Sequence, residues 1–290
     1  MRVKKIGVVG AGIMGRGIAQ VAAQGGFQTV LQDVDSAQLD GALASIRASL
    51  QRRVQLQKLS EEEAAQTLER LRPTRELAAA AEGSDLVIEA APERIDLKLA
   101  IFGELDRLCP PETILASNTS SLSITEMAAV THRPENVLGM HFFNPVPRMA
   151  LVEIVRALET DELAIQTALD VAHRMKKETV VVRESPGFIT SRINAMIGNE
   201  AFHMLQEGVA SARDIDKALK LGLNHPMGPF EMIDLVGLDT RLHILEYLHK
   251  SLGEKFRPAP LLVQYVKAGR LGRKSGRGVY TYEDQKVMKI

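Results

Sequence analysis

The sequence predicts two parts: an α/β region with a mostly parallel sheet over residues 1–185, and an all-α region over residues 186–290. Three observations predict this. Short β-branched runs alternate with helical patterns through the first part, as in successive βαβ units. A glycine-rich turn, GAGIMGRG at 10–17, follows the first run and opens a helical pattern. The β-branched runs stop after Ser185-Pro186-Gly187, and from Phe188 onward Met and Leu recur at three- and four-residue spacing.

The strand candidates, in order, are IGVV (6–9), FQTVLQ (27–32), DLVIEA (85–90), TILAS (113–117), NVLGMHFF (136–143), LVEIV (151–155) and TVVV (179–182). Between Asp35 and Arg72 lies a longer polar stretch of helical composition, read as a helical excursion over 35–72 that Pro73 ends. It breaks near Leu59-Ser60, where Ser60 followed by glutamates makes a helix N-terminus. In the second part, loops fall at NHPMGP (224–229) and RPAP (257–260).

The bulk composition narrows the function. Apolar residues make up 45% and charged residues 25% of the 290 positions, an ordinary mix for burying a core. A net charge of zero favours neither nucleic acid nor an anionic membrane as partner. No apolar run is long enough for a membrane helix, and the first strand begins too early for a signal peptide. The single cysteine, Cys109, fits a reducing compartment, so a cytoplasmic protein is expected. No metal site is expected.

Gly10, Gly12 and Gly15 form G-x-G-x-x-G directly after the first strand. The first glycine permits the turn, the second lets backbone approach a pyrophosphate, and the third lets the helix pack on the strand. The helix start then offers N–H groups and a positive dipole end to phosphates. Ile13 and Met14 belong to the same cofactor-binding segment. Asp33, 18 positions after Gly15, ends the second strand. A carboxylate there accepts the ribose hydroxyls of an adenosine and repels a 2′-phosphate; Val34, Asp35 and Ser36 bring no arginine. A Rossmann-type domain binding NAD rather than NADP is the expectation. A glycine-rich turn without ligand is the plainer alternative.

Oxidising an alcohol with a nicotinamide cofactor needs a base for the hydroxyl proton, and histidine serves in both directions. His141 and Glu153 are equally spaced about Pro147 in GMHFFNPVPRMALVE. If the flanking segments fold back on each other, the two residues meet, and Glu153 would orient the imidazole. The alternative is a core histidine with an exposed glutamate. His132 reads as a loop residue, His173, His203, His243 and His249 as helix-borne, and His225 as a loop-structuring residue. In ASNTSSL (116–122), Asn118 and Ser120 leave a strand end where ligand groups sit, although Ser120, Ser121 or Ser123 could equally cap the following helix.

These stretches resemble the L-3-hydroxyacyl-CoA dehydrogenase family, its short-chain members in particular. The resemblance covers nearly the whole chain and rests on GAGIMGRGIA, DLVIEAAPE, ASNTSSL, GMHFFNPVPRMALVEIV, SPGFI and NHPMGPFEMIDLVGLD. It implies NAD-linked, reversible oxidation of (S)-3-hydroxyacyl-CoA, such as 3-hydroxybutyryl-CoA, as in β-oxidation of fatty acids. His141 would be the acid/base, Glu153 its orienting carboxylate, and Ser120 the residue bonding the reacting oxygen. Asn118, Glu93 and Lys98 would be nicotinamide-side contacts, with Lys274 reaching the dinucleotide. The helical region would make a homodimer and close over the acyl-CoA. Ser191, in PGFITSR, stands where many members have an active-site asparagine; Asn194, a turn later, is the other candidate for that amide. Ser49, Arg52 and Lys58, with Arg47 and Arg53 nearby, resemble the CoA-contacting region, although such charges are often only a solvated face. Two other functions remain open: a dehydrogenase of another hydroxy acid, such as a sugar acid, on the same fold, and a non-catalytic NAD-binding protein.

Overall fold

A computed structural model of the protein describes residues 2–283 and, beyond them, the short strand Lys286–Val287. By its internal contacts the chain divides into two compact units, 1–185 and 186–290.

The first unit is built on β1 (Lys5–Val9), α1 (Ile13–Gln24), β2 (Gln28–Gln32), α2 (Ser36–Gln55), α3 (Glu61–Glu69), β3 (Leu71–Thr74), α4 (Leu77–Ala81), β4 (Leu86–Glu89), α5 (Ile95–Leu108), β5 (Ile114–Ser117), α6 (Ile124–Ala128), β6 (Val137–Phe142), β7 (Leu151–Arg156), α7 (Glu162–Arg174) and β8 (Glu178–Arg183). These strands form one sheet in the order β3-β2-β1-β4-β5-β6-β7-β8. All neighbours pair in parallel except β6 and β7, which are antiparallel. The apolar runs of β4, β5 and β6 are buried along their whole length, as a sheet covered on both faces requires.

Local chemistry sets the boundaries of the helical excursion. The Asp35 side chain caps α2, accepting from the Ala37 N–H at 2.8 Å. Ser60 and Glu63 form a reciprocal capping box at the start of α3, with bonds of 3.0 and 2.8 Å. The excursion differs from its predicted bounds at the far end. Helix ends at Glu69, and Leu71–Thr74 is a strand paired in parallel with β2. Pro73 is tolerated because β3 is an edge strand, where a missing N–H need not break a ladder.

The second unit carries α8 (Thr190–Gln206), α9 (Ala212–Gly222), α10 (Pro229–Val236), α11 (Leu238–Leu252) and α12 (Pro260–Lys267) around a core that includes Phe202, Phe230, Leu245 and Phe256. The segment after α12 returns to this bundle and ends in β9 (Tyr282–Glu283), paired antiparallel with β10 (Lys286–Val287). Two buried carboxylates hold it. Asp234 accepts from the Val279 and Tyr280 N–H groups and the Tyr282 hydroxyl, and Asp216 accepts from the Tyr280 hydroxyl at 2.7 Å.

Candidate active site

The glycine turn assigns a different duty to each glycine. Gly10 has φ +98°, and its N–H donates to the Gln32 carbonyl at 2.7 Å. A Cβ on Gly15 would stand 1.7 Å from the Gly10 carbonyl oxygen, so only glycine lets α1 approach β1. A Cβ on Gly12 would meet nothing within 4 Å, and Gly12 has an ordinary extended backbone. Protein packing therefore gives no reason for glycine there; room for an approaching ligand does. No side chain caps α1, which leaves its first N–H groups to an anion. The Asp33 carboxylate is held by the Ala11 N–H at 2.8 Å and the Asp35 N–H at 3.0 Å. Arg75, the cation that folding brings beside this corner, donates to the Val34 carbonyl. The site fits a dinucleotide with free ribose hydroxyls.

His141 and Glu153 are direct partners in the β6–β7 ladder. The His141 Nδ1–H donates to Glu153 Oε2 at 2.6 Å, with Glu153 fully buried and His141 7% exposed. An unpaired carboxylate at such a depth would cost several kcal/mol or more. The Phe143 ring packs 4.5 Å from the imidazole and excludes water from one side. The antiparallel pair is what converts the spacing about Pro147 into a contact.

Beside this pair, the ends of β4 and β5 carry a polar network. The Asn118 side-chain oxygen accepts the Phe142 N–H at 2.9 Å, tying the loop to the strand that bears His141. Glu93 accepts from the Thr119 hydroxyl and from the Ser120 N–H at 3.1 Å. Lys98, 1% exposed, places its ammonium 2.6 Å from Glu89, 3.4 Å from Glu93 and 3.3 Å from the Ala91 carbonyl. The capping role falls to Ser123, whose side chain accepts the Glu126 N–H at 3.1 Å, and not to Ser120.

A cleft of about 790 Å³ runs between α1, α2 and the loop after β6. Ser49, Arg52, Arg53 and Lys58 line it, joined by Arg16 and Arg148. Buried in its wall, the Gln20 amide nitrogen has no hydrogen-bond partner among the described residues. Asn144 also lines the cleft, three positions after His141; in the sequence it carries only the turn signal of an Asn-Pro pair. Arg16 and Arg148 carry no sequence signal beyond charge.

The second unit holds the remaining candidates. Ser191 and Asn194 are half-buried in the first turns of α8. The Lys274 ammonium is taken by Asp239 at 2.6 Å. Of the other histidines, His132 pairs with Asp106 at 2.7 Å, and His249 with Glu254 at 3.1 Å. Among the described residues no cluster has the makings of a metal site, and no helix is long and apolar enough to cross a membrane.

Residues 5–185 match the family model described as 3-hydroxyacyl-CoA dehydrogenase, NAD binding domain, and residues 187–282 the one described as 3-hydroxyacyl-CoA dehydrogenase, C-terminal domain. The chain is 50% identical over 289 residues to a Bacillus subtilis protein named probable 3-hydroxybutyryl-CoA dehydrogenase, covering 98% of this chain and 99% of that one. It is 46% identical over 285 residues to the 3-hydroxybutyryl-CoA dehydrogenase of Bradyrhizobium diazoefficiens, covering 98% and 97%. The crystal structure of (S)-3-hydroxybutyryl-CoA dehydrogenase PaaH1 from Ralstonia eutropha superposes with a TM-score of 0.95 at 43% identity, covering 98% of this chain and all of that one.

Proposed function

The chain belongs to the 3-hydroxyacyl-CoA dehydrogenase family, and from that premise we propose that it reversibly oxidises (S)-3-hydroxyacyl-CoA esters, 3-hydroxybutyryl-CoA among them, to the 3-oxo esters. The observation that carries this reading is the buried His141–Glu153 hydrogen bond of 2.6 Å, set in the same sheet as the glycine turn.

NAD, when bound, supplies the acceptor for the hydride leaving the substrate carbon. Gly12, the start of α1 (Ile13, Met14) and Asp33 hold its adenosine and phosphates. His141 receives the proton of the substrate hydroxyl on the ring nitrogen that does not face Glu153. Glu153 keeps the other nitrogen protonated and offsets the charge of the imidazolium that forms. The Ser120 hydroxyl donates to the reacting oxygen as charge develops on it. In the reverse direction His141 returns the proton. Ser49, Arg52 and Lys58, with the orphaned Gln20 amide, take the phosphates and pantetheine of CoA. A homodimer formed through residues 186–290, in a reducing compartment such as the cytoplasm, belongs to the same reading.

His141→Gln tests it. The expected result is a kcat lower by about 10²–10⁴ with acetoacetyl-CoA and NADH, while NADH affinity and melting temperature hold. A kcat near that of the unaltered protein sinks the assignment.

A further inference from the structure

Beneath Ser120 lies a charged group that the mechanism above does not use. Glu89, the last residue of β4, is fully buried. Its Oε1 accepts from the Ala91 N–H and the Lys98 ammonium, each at 2.6 Å, and its Oε2 accepts from the Ser117 hydroxyl at 2.6 Å. From there two routes lead to the reacting loop. The Ser117 hydroxyl accepts the Thr119 N–H at 3.2 Å. Lys98 reaches Glu93, which in turn holds the Thr119 hydroxyl and the Ser120 N–H.

A buried ion pair of this kind is a poor source of stability. Apolar residues of similar volume often do as well or better, because both ions lose their hydration. The arrangement is explained when its purpose is placement. It is also unbalanced in sign. Two carboxylates surround one ammonium, and the outer carboxylate, Glu93, is the one that solvent and ligands reach, with its side chain 38% exposed.

We propose that Glu89 is a positioning residue for the dehydrogenase reaction: through Lys98 and Glu93 it fixes the Ser120 loop, and it leaves the Glu89–Lys98–Glu93 triad with a surplus negative charge that favours the cationic oxidised nicotinamide over the neutral reduced one. This rests on the NAD-linked reading of the site.

The test compares Glu89→Gln with the double variant Glu89→Gln/Lys98→Met in the full chain, measuring Kd for NAD+ and for NADH by titration, and kcat and KM with acetoacetyl-CoA. Glu89→Gln removes the surplus charge; the ratio Kd(NAD+)/Kd(NADH) should rise about three- to tenfold, and kcat should fall about tenfold, with KM for acetoacetyl-CoA within about twofold. The double variant buries no unpaired charge and leaves Glu93 alone, so the ratio should return to that of the unaltered protein while kcat stays low. A merely structural role would shift both dissociation constants together. If Glu89→Gln keeps both the original ratio and kcat, the proposal is overturned. If that variant does not fold, the double variant decides: kcat at the original level, or both dissociation constants shifted together, overturns the proposal, and a lowered kcat with each dissociation constant within about twofold of its original value supports it. Should the unaltered protein bind neither nucleotide, the cofactor reading fails first and the proposal with it.

Discussion

At the scale of single residues, the glycine turn separates folding from binding. Gly15→Ala forces a methyl group to 1.7 Å from the Gly10 carbonyl oxygen, and the backbone must move. The expected loss is about 3 kcal/mol or more, or failure to fold. Gly12→Ala places its methyl group in open space on a permitted backbone. It should fold with a change of about 1 kcal/mol or less in denaturant unfolding, yet bind NADH at least about tenfold more weakly, or 1.4 kcal/mol. Equal NADH affinity in Gly12→Ala would remove the pyrophosphate from that spot. These glycines and Asp33 are legible in the sequence because their work depends on spacing along one βαβ unit. Glu89 is not. In DLVIEAAPE it reads as the end of a strand, and its meaning arrives only when α5 folds back and sets Lys98 against it. Glu153 sits between the two cases: its partner is twelve positions away, but the turn between them makes the pairing readable.

Among the elements, the strands declared themselves where they are apolar throughout and hid where they are not. β3 buries only Leu71 well and contains Pro73, so its four residues look like the tail of a helix until β2 pairs with them. The closing segment 279–282 is likewise invisible in a pattern dominated by helices, because it is anchored by carboxylates on α9 and α10 and not by apolar periodicity. Burial pushes the Asp216 carboxyl above the ordinary aspartate range, despite the hydrogen bonds from Tyr280, Phe230 and Glu231 that resist it. A raised carboxyl binds its proton more tightly folded than unfolded. Its contribution is therefore complete at acid pH below the unfolded value and is lost as pH rises through the folded value. Denaturation followed from pH 7 down to about pH 4 should show the unaltered protein gaining stability relative to Asp216→Asn on the acid side. The gain is at most about 1.4 kcal/mol for each pH unit between the two values. A relative loss toward acid would mean that the hydrogen bonds outweigh burial.

For the molecule as a whole the net charge is zero, and Arg16, Arg52, Lys58 and Arg148 gather positive charge locally around one cleft, the one proposed above for CoA. The surface of the helical unit has a different feature. Ile193 and Met196 on α8 are 54% and 39% exposed, and Leu235 and Val236 on α10 are 49% and 39% exposed. Large apolar side chains exposed on these two helices favour the homodimer proposed above. A solution mass of twice 31.8 kDa by light scattering is expected, falling toward 31.8 kDa in Ile193→Glu/Leu235→Glu. A single-chain mass for the unaltered protein would end the dimer reading. The antiparallel β6–β7 ladder has one more consequence, and it concerns time. His141 and Glu153 sit on strands that both have neighbours, β5 on one side and β8 on the other. They cannot drift apart by fraying; the sheet has to open. Amide protons of Gly139–Phe142 and Val152–Val155 should then be among the slowest in the chain to exchange with deuterium. On heating, the half-life of activity should equal the half-life of global unfolding. Activity that decays well before the sheet opens would place the weak point elsewhere, in the loops that meet the cofactor.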